Sequence, residues 1–362
     1  MDKLRLRQII GIVLKNNIVE FFNANTRSTV VLKIDFPEII EFLHFFDGTK
    51  LTEEIIAIFP QYPRDDLIKL VHYLYGQYIL IREDRVYSEY MMENHYRLIN
   101  TLEDFCHSTT EVVDKINKIN NSKVMIIGLG SVGSYIAVYL AKLGVSNFIL
   151  VDNDVVDLSN LHRQYYFEDQ IGMLKTEALS QELKSISNKI NVQKINENLS
   201  NDLFVQYSES VSVDLIINCA DEPSVDYTSE LVATFAMKHK IPHIIGGGYN
   251  LHLTLIGQTI IPFETACFNC FKSKLDEINT PELVNVKKLH RENRKVGSFP
   301  PLSGISATLS VLDAFKVLIN KYDTLNHSNK RIEFLPRTKD LNIINIPKNN
   351  DCQWCNRNEY VL

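Results

Sequence analysis

The chain has 362 residues, of which 45% are hydrophobic and 23% charged, and its formal net charge is −6 at pH 7. Such a composition is ordinary for a globular protein, and the length suggests two or three domains rather than one core. The acidic balance argues against a nucleic-acid partner, which would need clustered Lys and Arg against phosphates. The N-terminal apolar run is short and broken by charges, and no other stretch is long and apolar enough to cross a bilayer, so neither a signal peptide nor a membrane partner is expected. A cytoplasmic location with reduced cysteines follows as the expectation.

Residues 1–90 form a first unit. Strand-like runs occur at 18–22 and 29–34, and Ile39, Ile40, Phe42, Leu43 and Phe46 recur at helical spacing. Asp47-Gly48-Thr49 reads as a turn, and Thr52, ahead of Glu53 and Glu54, reads as the cap of a helix running to about residue 59. A third helix is expected over 64–75, then a strand over 78–81 and a polar turn at Arg82-Glu83-Asp84. Three helices and a terminal hairpin make a small winged-helix pattern.

Residues 91–122 are polar, partly helical, and read as a linker. From Lys123 the pattern becomes strand, Gly-rich turn, helix, strand, and further strands are expected at 192–195, 214–219 and 242–246. This alternation over 123–362 implies an α/β, Rossmann-like domain with a mostly parallel sheet. Stretches rich in Asn and Lys near 320–350 read as loops and a short hairpin.

Gly128-Leu129-Gly130-Ser131-Val132-Gly133 fits G-x-G-x-x-G and stands between a strand and a helix. Glycine at 128, 130 and 133 permits a tight turn and close approach of backbone to phosphate, and the helix N-terminus offers free N–H groups to an anion. Asp152, 19 residues past Gly133, ends the second strand, where a carboxylate can accept bonds from ribose hydroxyls. A tight turn without a ligand is the bland alternative. On this motif alone NAD or FAD would lead.

The next residues favour ATP. After Asp152 comes Asn153-Asp154-Val155-Val156-Asp157-Leu158-Ser159-Asn160-Leu161-His162-Arg163-Gln164, then Ile171-Gly172-Met173-Leu174-Lys175, and Asn218-Cys219-Ala220-Asp221 ends a later strand. Arg163 and Lys175 can neutralise a triphosphate, and Asp221 can hold Mg²⁺. These residues resemble the ThiF/MoeB/HesA superfamily, which includes ubiquitin-activating enzymes, over about residues 95–362. The resemblance implies ATP- and magnesium-dependent adenylation of a C-terminal carboxylate by a homodimer. It places Asp152 on ribose, Asn160, Arg163, Gln164 and Lys175 on phosphates, and Asp221 on magnesium. It also implies an arginine ahead of the first strand that reaches the partner subunit's nucleotide, for which Arg97 is the candidate. Ser131 stands where the family often has Gly or Ala.

Cys267-Phe268-Asn269-Cys270 and Cys352-Gln353-Trp354-Cys355 are two C-x-x-C pairs. Four thiolates suit a closed, structural zinc site that ties the C-terminal segment back to the body; a redox pair is the alternative. Cys219 reads as a core residue, and Cys106 has no activating neighbour in sequence. Residues 271–351 hold no Cys, which argues against a thioester-forming enzyme. The basic run from Lys287 to Lys295 reads either as a solvated loop or as a crossover loop over the site.

In the first unit, Phe42-Leu43-His44-Phe45-Phe46-Asp47-Gly48-Thr49 followed by Leu51-Thr52-Glu53-Glu54-Ile55-Ile56 resembles the PqqD-like peptide clamp. Such clamps add a peptide to a sheet edge; a DNA-binding winged helix is the alternative, disfavoured by Glu53-Glu54 and Asp65-Asp66. A clamp joined to an adenylating domain resembles the MccB-type microcin C nucleotidyltransferases, which implies a ribosomal peptide as substrate, with CTP as the alternative to ATP.

Overall fold

The computed structural model describes residues 2–207, 212–245, 247–250, 253–283 and 299–356. Two compact units are present, Met1–Asn117 and Lys118–Leu362. The segment expected as a linker at 91–122 therefore falls mostly in the first unit.

That unit contains strands β1 (Lys3–Leu6), β2 (Ile10–Lys15), β3 (Ile18–Asn23) and β4 (Thr29–Lys33), then helix α1 (Ile39–His44), strand β5 (Asp47–Leu51), helices α2 (Thr52–Ile56) and α3 (Arg64–Gly76), strand β6 (Leu80–Arg82), helix α4 (Glu89–Glu103) and most of helix α5 (Thr109–Asn121), whose last residues belong to the second unit. Strands β2, β3 and β4 form an antiparallel meander, and β5, β1 and β6 form a second antiparallel sheet. Helix α3 begins after Pro63, carries Asp65 and Asp66 in its first turn, and buries Leu67, Val71 and Leu74 at a spacing that keeps one face inward. The core is aromatic: Phe42 packs against Phe36, Phe46 and Phe59 with ring centroids 5.3, 5.1 and 5.3 Å away. Each such buried ring contributes about 1.5–3 kcal/mol.

The structure corrects the expected winged-helix hairpin. Strand β6 begins at Leu80, because Tyr78 takes φ +57° and turns the chain out of α3; β6 then pairs with β1, not with a following strand. Strands β1, β2 and β5 went unread. Gly48, expected in a turn, lies inside β5 at φ +87°, and Asp47 accepts from the N–H and hydroxyl of Thr49. Thr52 is not the cap of α2: Leu51 N–H donates to Glu54 (2.7 Å), and the Thr52 hydroxyl donates to the Asp2 carbonyl (2.8 Å). Helix α4 is held to β1 and the residue after it by two arginines, half-buried Arg5 and buried Arg7. Arg5 pairs with Glu83 and Glu103, and Arg7 donates to the carbonyls of Glu103 and Cys106.

The second unit runs β7 (Lys123–Ile127), α6 (Gly133–Lys142), β8 (Asn147–Val151), α7 (Lys175–Ile186), β9 (Asn191–Ile195), α8 (Asn201–Tyr207), β10 (Leu215–Asn218), α9 (Val225–Lys238), β11 (His243–Ile245), β12 (Gly248–Asn250), β13 (Leu253–Ile256), β14 (Gln258–Ile260), α10 (Phe268–Leu283), α11 (Pro300–Leu318), β15 (Lys330–Leu335) and β16 (Asp340–Asn345). The main sheet has the order β14-β11-β10-β7-β8-β9, parallel except for β14. Strands β7, β8 and β10 are almost wholly buried apolar runs, as a parallel sheet covered on both faces requires. A second, antiparallel sheet has the order β12-β13-β15-β16, and its β15–β16 pair is the hairpin expected near 320–350. Helix α11 is long and apolar enough to span a membrane by composition, yet it packs against α6, β12 and β13 as a core helix.

Candidate functional site

From β7 the chain steps to β8 and β9 on one side, then returns to place β10 and β11 on the other. The loops after β7 and β10 therefore diverge, and open parallel sheets bind ligands at that switch point, outside the carboxyl ends of the strands. A cleft of 530 Å³ lies there, within the size range of small-molecule sites. Every parallel strand contributes to its wall: Gly128, Gly130 and Ser131 after β7, Asp152 to Asp154 after β8, Glu197 to Leu199 after β9, Ala220 to Glu222 after β10, and Gly247 and Gly248 after β11.

The three loop glycines are required for different reasons. Gly128 has φ +83°, and a Cβ there would stand 2.5 Å from the Ala220 nitrogen, because the β7 loop passes against the end of β10. A Cβ at Gly133 would meet the Gly128 oxygen at 2.0 Å, so helix α6 can start only with glycine. Gly130 is unlike both: nothing described lies within 4 Å of its Cβ position. The fold does not demand glycine at 130, whereas a phosphate approaching the backbone would.

Asp152 accepts from the backbone N–H of Leu129 (2.6 Å) and of Asp154 (2.8 Å), so it fastens the glycine loop to the end of β8. Burial pushes its carboxyl above the usual range, and the charge of Lys175 and these two bonds oppose the push. Lys175 is the first residue of α7 and pairs with Asp154 (2.6 Å). Asn160 is buried and accepts from the Asp157 N–H (3.0 Å), and Arg163 donates to the Ser159 carbonyl (2.5 Å). Gln164 is buried in the cleft wall, and its Oε1 has no partner among the described residues, so it is a polar group open to a ligand. Asp221 is exposed at the opposite lip. Open backbone at Gly130, the buried Gln164 amide, the cations of Arg163 and Lys175 and the exposed Asp221 carboxylate fit a nucleoside triphosphate with its divalent cation.

The expected residues Gly128, Gly130, Asp152, Asn160, Arg163, Gln164, Lys175 and Asp221 all line this one cleft. Arg97 does not; it lies on α4 in the N-terminal unit, stacked on the Tyr96 ring at 5.4 Å. Some contributors went unread. The Tyr166 hydroxyl donates to the Leu129 carbonyl (2.8 Å), and the Tyr165 N–H donates to Ser134 (3.1 Å), so the segment after Gln164 is tied to the glycine loop and to the first turn of α6. Glu197, Asn198 and Leu199 were recognisable only as the end of a strand. Cys219 reaches the cleft wall, and burial pushes its thiol up to about 12, which makes it a poor nucleophile at neutral pH. The basic run at 287–295 lies outside the described residues.

Cys267, Cys270, Cys352 and Cys355 are buried, with all four sulfurs within 4.8 Å of one another. Neighbouring pairs stand 3.9, 3.6 and 3.5 Å apart. Sulfurs around one tetrahedral zinc lie about 3.8 Å apart, from a Zn–S distance of ~2.3 Å. The Cys270 thiol is pushed down by its contacts with Cys267 and Cys355. The donor set is that of a closed structural site, joining the start of α10 to the segment after β16.

A doubly wound α/β protein with a glycine-loop nucleotide cleft and a four-cysteine knot is thereby defined. Residues 102–355, well over half of the sequence, match the ThiF family, and the chain belongs to that family. It is 28% identical over 251 residues to ubiquitin-like modifier-activating enzyme 5 of Drosophila grimshawi, covering 66% of this chain and 60% of the relative. The Arabidopsis thaliana enzyme of the same name is 29% identical over 228 residues, covering 58% and 50%. The chain thus spans between half and two thirds of the length of these curated relatives. Among solved structures it is similar to E. coli MccB with succinimide, at TM-score 0.79 and 22% identity over 98% of this chain and 99% of that one. The structure of E. coli MccB with ATP gives TM-score 0.76 and 22% identity over 98% and 100%. That likeness extends the shared fold through the N-terminal unit.

Proposed function

We propose that the protein uses ATP to adenylate the C-terminal carboxylate of a ribosomally made peptide, releasing pyrophosphate, in the biosynthesis of a modified peptide such as a microcin C-like antibiotic. The observation that carries this reading is the convergence of Gly130, Arg163, Lys175 and Asp221 on one switch-point cleft. Asp152 accepts from the ribose hydroxyls, while Asn160, Arg163, Gln164 and Lys175 contact the phosphates. Magnesium at Asp221, when bound, adds positive charge beside them. A peptide carboxylate is ionised at neutral pH and needs no general base. Its oxygen bonds to the α-phosphorus, the bond from that phosphorus to the bridging oxygen breaks, and pyrophosphate leaves with the electron pair. Arg163 and Lys175 offset the charge that gathers on the phosphates, so positioning and electrostatics supply the rate.

The N-terminal unit serves as the peptide clamp. The meander pairs β3 with both neighbours and has β2 and β4 as its edges, and an extended peptide can add to such an edge. E. coli MccB has been solved with ATP and with MccA, which supports a peptide partner here. Zinc in the four-cysteine knot is structural, and the enzyme works as a homodimer in which Arg97 reaches the partner's nucleotide. CTP is the alternative nucleotide.

The test is peptide-dependent pyrophosphate release, with mass spectrometry of the product. Arg163→Ala and Asp221→Ala should each reduce turnover by at least a hundredfold, from mutational losses of about 3 kcal/mol at transition-state charge contacts. Undiminished turnover in both would refute the site. A second reading, adenylation of a sulfur-carrier or ubiquitin-like protein, is favoured by the names of the curated relatives. The absence of Cys from 271–351 disfavours a thioester-forming version. A carrier with a Gly-Gly tail outcompeting every peptide would select this second reading, and tight peptide binding without turnover would leave a delivery clamp.

A further inference from the structure

One acidic side chain in the cleft wall has no part in the reaction just described. Asp154 is 63% exposed, yet its Oδ2 lies 2.6 Å from the Nζ of Lys175, which is 7% exposed. The backbone joins the same two residues again: the Lys175 N–H donates to the Asp154 carbonyl (2.9 Å), and Val155 bridges Leu174 beside them. Carboxylate and ammonium therefore sit on two segments already laced together. Lys175 opens helix α7, where the helix dipole disfavours a cation, and it is buried there. A cation so placed needs an anionic neighbour.

Asp152 is the other carboxylate that feels this charge. Each of its oxygens already accepts one backbone N–H, from Leu129 and Asp154, and its remaining lone pairs are those the ribose hydroxyls would use. An ammonium drawn onto Asp152 would compete for them and leave the phosphates without it. Asp154 offers the nearer, exposed alternative.

We propose that Asp154 is a positioning residue: it holds the Lys175 ammonium off Asp152 and available to the nucleotide phosphates. The inference rests on the nucleotide reading above. It makes a prediction opposite in sign to simple electrostatics, because a carboxylate beside a triphosphate should repel it, and its removal should tighten binding.

The experiment is calorimetry of magnesium-ATP binding to the full chain in four forms: parent, Asp154→Asn, Lys175→Met and the double variant. Asp154→Asn should weaken binding about tenfold in the parent, the loss expected when one charge-assisted contact is misplaced. In the Lys175→Met background the same change should leave binding unaltered or tighten it. Asp154→Glu, which keeps the charge, should recover most of the loss, and thermal melts establish that each variant is folded. Tightening in both backgrounds would mean that Asp154 only repels nucleotide. Equal weakening in both would mean that it acts through the loop's structure. Either result overturns the proposal. A parent that binds no magnesium nucleoside triphosphate sinks the nucleotide reading and this inference together, an outcome distinct from a binding parent whose variants follow a wrong pattern.

Discussion

Replacing Gly130 and Gly128 separately by alanine sets the ligand's demand against the fold's. At Gly128 the alanine would need φ +83° and would bring its Cβ to 2.5 Å from the Ala220 nitrogen and 2.6 Å from the Cys219 carbonyl carbon. The left-handed conformation costs about 1–2 kcal/mol for a residue with a Cβ, and overpacking against backbone costs a further ~1–3 kcal/mol. A loss of about 2–5 kcal/mol should lower the melting temperature of a unit this size by roughly 5–15 °C. At Gly130 the same methyl enters space with no described neighbour within 4 Å. Stability should change by less than about 0.5 kcal/mol, whereas magnesium-ATP affinity should fall at least tenfold because the methyl stands where phosphate must approach the backbone. Differential scanning calorimetry and isothermal titration of the two purified variants measure both quantities. A Gly130→Ala protein that binds magnesium-ATP like the parent would refute the assignment of the loop as a phosphate cradle.

Other expectations are independent of that one. Cys352→Ser should release bound zinc, measurable by elemental analysis, and lower the melting temperature; a protein that purifies with one zinc and loses none on this change would contradict the four-cysteine site. His243 is fully buried, and burial pushes its imidazole down to about 4 from the ordinary value of 6.5. Its folded state holds the neutral ring, so the stability it contributes is complete above pH 6.5 and is lost as pH falls toward 4. About 2 kcal/mol should disappear between pH 7 and pH 5. Urea unfolding should show that loss in the parent and a flatter profile in His243→Leu; parallel profiles would refute it. If Arg97 acts across a dimer, mixing inactive Arg97→Ala and Arg163→Ala subunits should restore pyrophosphate release, because one site in each mixed dimer regains both arginines. No recovery after verified subunit exchange would place Arg97 elsewhere.

The main sheet and its cleft were legible in the sequence because their physics is local. Continuous apolar runs at 124–127, 148–151 and 215–217 can be covered only from both faces, and a glycine loop between such a run and a helix has one common use. Asp152 and Asp221 stand just past strand ends, Arg163 follows in the loop after β8 and Lys175 opens the next helix, and the switch-point rule gathers such positions without coordinates. The four cysteines announced themselves by spacing. Strands β1, β2 and β5 were not legible: β1 and β5 are short and mixed in character, and their partners are remote in sequence, as when Leu4 pairs with Arg82. Pairing of that kind depends on the whole unit closing.

Residue chemistry by itself determined which groups could meet a triphosphate, because only Arg, Lys, free backbone N–H and a metal-holding carboxylate can offset that much charge. The tertiary structure decided what the pattern could not: that the fold requires glycine at 128 and 133 but leaves described space open at 130, and that Lys175 is held by Asp154. Both follow from distances between segments far apart in the chain, and such distances arise only when packing sets one strand end against another.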